Sequence, residues 1–218
     1  MTLKHRTVLL AGALFVFINV LVVWVIFSTP KVVGLNQKVE RVRDGLPFAL
    51  RVKDSIARET QLTSVDVALS CTGDVFEVRN LDYGFAVYPQ KSRAVVVSVD
   101  NLAREAMCML DTTEIPAATK AARVALQPLD LDRVALEIPD ALKIASSNGL
   151  AEFCSLTRPD TRQVTLWLGV ADAGLVWSLF GDSWDAYGPV AEVTITMDAR
   201  TGTVLDHNLH KPPARPSE

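Results

Sequence analysis

The stretch that decides the reading is Val190-Ala191-Glu192-Val193-Thr194-Ile195-Thr196-Met197-Asp198-Ala199-Arg200-Thr201-Gly202-Thr203-Val204-Leu205-Asp206. Ala191 to Met197 alternates apolar with polar side chains, the pattern of a strand with one face packed. Asp198 to Gly202 predicts a tight turn, with Asp at its start and Gly where a positive φ is needed. Thr203-Val204-Leu205 then closes the pair. Working back towards the N-terminus, strands are predicted at Leu175–Phe180 and Val164–Val170. Before them comes a helix in which Leu142 and Ala145 share a face with Ile138 and which Asn148-Gly149 stops.

Residues 64–99 are also β-prone. Strands are expected at Ser64–Leu69, Val75–Val78, Phe85–Tyr88 and Ala94–Val99, with turns at Thr72-Gly73-Asp74, Tyr83-Gly84 and Pro89–Ser92. Asp100 reads as the N-cap of a helix over Leu102–Leu110, and an alanine-rich helix is expected over Ala117–Leu126. Val32, Leu35, Val39, Val42 and Leu46 form an amphipathic helical stripe broken at Gly45-Leu46-Pro47, and a second helical stretch carries Leu50 and Ile56. Two heptads are too few for a firm coiled coil, so the stripe is expected to pack on the domain or on a membrane surface.

The run Val8–Phe27 holds one polar side chain, Asn19. About 20 residues at 1.5 Å each span the hydrocarbon of a bilayer, which predicts a transmembrane anchor. A cleavable signal peptide would carry small residues at its exit, whereas this run leaves through Ile26-Phe27-Ser28-Thr29-Pro30. Lys31, Lys38, Arg41 and Arg43 argue for a cytoplasmic C-terminal flank. The short N-terminal tail with Lys4 and Arg6 argues the other way, and is preferred. The expected fold class is therefore α+β: a single N-terminal transmembrane helix, then an antiparallel sheet with packed helices. The expected layout is tail and anchor at 1–29, a juxtamembrane helical linker at 30–62, α+β subdomains at 63–128 and 129–208, and a disordered proline-rich tail at 209–218.

The C-terminal third resembles a PepSY-type domain. The features that match are the helix at Pro139–Asn148, Trp177 in LVWSLF, the strand VAEVTITMD and the turn DARTGTVLD at Asp198–Asp206, and together they cover Leu131 to His207. The resemblance implies a small antiparallel sheet with a helix on one face. It also implies an extracytoplasmic binding, chaperoning or inhibitory role with no catalytic residues of its own. Whether residues 63–128 are a divergent copy stays open.

No H-E-x-x-H, G-x-S-x-G or phosphate-loop motif occurs, so no enzyme, cofactor or metal site is expected. The net charge of −3 gives no field for nucleic acid. Of the 3 histidines, His207 and His210 read as solvated, and Asp130, Asp132 and Glu137 as helix-capping carboxylates. The 3 cysteines have no metal-ligand spacing. Buried thiols are the first reading for them and a disulfide the second, with Cys71–Cys108 the preferred pair. Trp167 and Trp177 read as core. Trp184 and Tyr187, in a Gly- and Asp-bounded loop, are candidate interaction residues, as is Asn19 within the apolar run. The function expected is a single-pass envelope accessory protein without catalysis, touching the lipid bilayer and another envelope or membrane protein. The alternative is a structural subunit of a larger membrane complex, held through the helix.

Overall fold

The computed structural model describes residues 32–57, 59–72, 74–87, 94–112, 127–185 and 188–211. They build one nine-stranded sheet in the order β1-β5-β4-β3-β2-β6-β7-β8-β9, every neighbouring pair antiparallel. The strands are β1 (Val32–Gly34), β2 (Thr60–Thr72), β3 (Val75–Val87), β4 (Ala94–Asp100), β5 (Glu105–Thr112), β6 (Arg162–Ala171), β7 (Gly174–Asp185), β8 (Gly188–Asp198) and β9 (Val204–His210). The helices are α1 (Val42–Asp54), α2 (Ile138–Ala145) and α3 (Ala151–Leu156), with a single wide turn, Ser146–Leu150, between the last two.

The chain uses one plan twice. In each half a helical segment precedes a four-stranded meander, β2 to β5 and then β6 to β9, and the first strands of the two meanders pair at the centre. Period-two alternation fixes the two faces. Val65, Val67 and Leu69 of β2, Leu81, Tyr83 and Phe85 of β3, Leu166 and Leu168 of β6 and Trp177 and Leu179 of β7 point to one side and are buried. The helices cover that side. Tyr83 Oη donates to the Val42 carbonyl at 2.7 Å, and Trp177 Nε1 donates to the Leu136 carbonyl at 3.0 Å. The halves also interlock through Glu137. Its carboxylate accepts from the Val42 amide at 3.1 Å, at the positive N-terminus of α1, and lies 3.8 Å from Arg43 Nε.

The expected α+β class is overturned. The described chain is mainly sheet, with few and short helices, because residues that read as punctuation lie inside elements. Tyr83-Gly84, expected as a turn, is interior to β3. A Cβ on Gly84 would stand 2.6 Å from Ser64 Oγ of the neighbouring strand, so glycine is there for close approach. Gly45 and Pro47, expected to break a helix, both lie within α1. A Cβ on Gly45 would collide with Tyr83 Oη. The helix expected over Leu102–Leu110 is instead a turn followed by β5. Asp100 Oδ1 accepts from the amides of Leu102 and Ala103, but the chain leaves at Arg104 with φ of 58° and does not continue as helix. The linker expected at 30–62 contributes β1, α1 and the start of β2 to the domain.

The single-pass anchor finds no support among the described residues. Among the described residues no helix is long and apolar enough to cross a membrane. The run Val8–Phe27 lies outside those residues, as do the helix expected over Ala117–Leu126 and the tail beyond Lys211.

Candidate functional site

Three features concentrate chemistry among the described residues: the seam between the halves, a cleft beside it, and the sheet face on which none of the described helices packs. At the seam, Cys71 near the end of β2 is bonded to Cys154 on α3, with Cα atoms 6.1 Å apart. The expected partner, Cys108, lies on β5, three strand positions from β2. That is about 14 Å at ordinary strand spacing, twice the reach of a disulfide. Arg162 closes over the bond. Its guanidinium donates to the carbonyls of Cys71, Cys154 and Thr157, so one side chain ties both halves at the crosslink. Loss of solvent lowers the Arg162 pKa from its ordinary value.

The cleft, about 510 Å³, opens between the halves on the helix-bearing side. Phe76 and Val78 of β3 face Ile138, Pro139 and Leu142 of α2, and Lys38, Glu77 and Lys143 stand among the residues around them. Its size is that of a small-ligand pocket, and its lining mixes charges of both signs.

The helix-free face is more one-sided. Register places Val32, Met107, Ser98, Asp82, Asp66, Trp167, Ser178, Thr196 and Asp206 in one row across all nine strands. The next row on the same face runs Glu105, Asp100, Asn80, Ala68, Thr165, Phe180, Thr194 and Asn208. A third joins Gln163, Asp182, Glu192 and His210. Carboxylates stand directly opposite carboxylates in these rows: Asp66 to Asp82, Asp100 to Glu105, and Asp182 to Glu192. No lysine or arginine occupies any position in them. Burial, with the neighbouring Asp82 carboxylate adding to it, raises the Asp66 pKa from 3.8 to about 6.

The same face carries aromatic rings. Trp167, expected in the core, is only half-buried there, its ring lying over Gly169 two residues along β6. Phe180 is 52% exposed and Trp184 53%. Trp184 was expected in a loop, but β7 extends through it. Its ring nitrogen donates to Asp182 Oδ2 at 3.0 Å and its amide to the Thr161 carbonyl. Asn19 and Tyr187 lie outside the described residues. Trp177 is fully buried. His207 and His210 are exposed on the edge strand β9. Asp130 caps the turn at Leu131–Arg133 by accepting from the Asp132 amide at 3.1 Å, whereas Glu137 caps α1 of the other half. Sequence reasoning missed the opposed acidic pairs, which become visible only once register is known, and the Cys154 and Arg162 partnership at the seam.

No family model matches the chain, and no curated protein matches it. Among solved structures, the crystal structure of a putative lipoprotein from Clostridium difficile 630 aligns with 80% of this chain and 97% of its own. The TM-score is 0.46 and the identity 15%.

Proposed function

We propose that this chain is a non-catalytic accessory module of the cell envelope that acts by binding another protein. The observation that carries the reading is the broad sheet face left uncovered by the three helices, on which Phe180 and Trp184 stand about half exposed beside Trp167. Large rings held on rigid strands are the side chains that anchor protein interfaces. The Cys71–Cys154 bond supports an oxidising compartment for the domain, since such bonds are kept in secreted and envelope proteins and reduced in the cytosol. The PepSY-like pattern of residues 131–207 belongs with this reading.

The test is photo-crosslinking in living cells, with a photoreactive amino acid in place of Phe180 in the full chain. A discrete adduct with a second protein is the expected product. The Trp184→Ala variant should weaken that adduct about tenfold while changing unfolding free energy by less than about 0.5 kcal/mol. If no adduct forms from position 180 while the protein is folded and oxidised, the reading is wrong.

A further inference from the structure

We infer that the helix-free sheet face is a docking surface for a basic polypeptide segment, held between opposed carboxylates and exposed rings. The inference rests on the binding-module reading and adds the chemistry of the partner. Like charges directly opposite one another on a sheet cost stability, and this face carries that arrangement at Asp66 and Asp82 and again at Asp182 and Glu192. Among the described residues no lysine or arginine stands in the same rows to offset it, so a basic partner would relieve the repulsion. Arginine or lysine would gain twice here: a carboxylate pair accepts its hydrogen bonds, and the faces of Trp167, Phe180 and Trp184 accept its charge.

Geometry favours a polypeptide over a small cation. Three strand spacings across and four residues along separate the two carboxylate pairs, about 20 Å in all, with Phe180 between them. An extended chain covers that distance in about six residues, an even number, so both basic side chains would point to the sheet. A second copy of this chain fits poorly, because its own face would oppose acid to acid. A metal cage fits poorly too: among the described residues no three carboxylates, histidines or cysteines converge as ligands.

The experiment titrates the oxidised protein with a synthetic peptide alternating arginine and threonine, and with a counterpart carrying glutamate for arginine. Heat and tryptophan fluorescence are read at low ionic strength. The arginine peptide should bind and the glutamate peptide should not. Combining Asp66→Asn, Asp82→Asn, Asp182→Asn and Glu192→Gln should weaken binding at least tenfold. Asp132→Asn with Asp140→Asn, on the helix-bearing side, should leave it unchanged. Carbodiimide labelling of the wild-type carboxylates should show the same four protected by the peptide, which tests the site without any variant. Equal binding of both peptides, indifference to the four substitutions, or no protection overturns the inference. Displacement of the peptide by magnesium or spermine at matched charge also overturns it, by assigning the face to small cations. If a partner crosslinks at Phe180 yet the arginine peptide fails, the module reading stands and only its basic partner falls.

Discussion

Asp66 titrates where most carboxylates do not. Burial between Asp82 and Trp167 favours its neutral form, so its folded pKa, about 6, lies above the 3.8 of the exposed group. A raised folded pKa adds stability that is complete below 3.8 and lost as pH rises through 6. Asp66→Asn, which imitates the protonated acid, should match wild type in urea denaturation near pH 3.5. At pH 7.5 it should be more stable, by at most about 3 kcal/mol. A wild-type and variant difference that does not change with pH would contradict this account. In sequence, Asp66 is one polar residue in an alternating strand, and its opposition to Asp82 depends on a register no local pattern encodes. The same holds for the tryptophans. Trp167 and Trp177 both sit in apolar-rich strands, and only the pairing shows that one faces the core and the Leu136 carbonyl while the other faces out over Gly169.

Among elements, α1 and the β8–β9 turn teach opposite lessons. The turn was legible because its chemistry is local. Asp198 Oδ1 accepts from the amides of Thr201 and Arg200, which holds the Asp198 pKa below its ordinary value, and Gly202 supplies φ of 75°. Helix α1 was misread because Gly45 answers to a distant contact, the Tyr83 hydroxyl that donates to Val42. Gly45→Ala should improve helix propensity yet destabilise the protein by about 1–3 kcal/mol through overpacking. On a Tyr83→Phe background, which itself costs about 1 kcal/mol, the penalty should shrink because the hydroxyl is gone. Additive effects in that double-mutant cycle would mean the helix tolerates the methyl by another route. Asp100 shows why β5 was missed: a carboxylate accepting from the amides two and three residues on begins a helix and a tight turn alike, and only the positive φ at Arg104 separates them.

For the whole molecule, the crosslink adds a covalent constraint to the β2–β6 pairing that joins the halves. Cys71 and Cys154 are 83 residues apart, and closing a loop of that length removes about 4–5 kcal/mol of unfolded-chain entropy by the chain-entropy account. Cys71→Ser or Cys154→Ser should therefore lower unfolding free energy by about 2–5 kcal/mol, and Cys108→Ser by far less; equal losses at all three positions would refute the assigned pairing. Most antiparallel strands and the helix α2 were legible because period two and period 3.6 repeat locally. The single sheet was not, because it depends on β2 finding β6 across the length of a meander.

That central pairing also sets an order of events. Until β6 is made, the inner edge of β2 offers its unpaired amides and carbonyls, with alternating apolar side chains, to any strand that meets it. At about 5–20 residues per second of synthesis, that edge stays open for several seconds. The nascent first half is thus the stage at which the chain is most prone to aggregate, and the stage at which a chaperone guarding strand edges would do most for its yield.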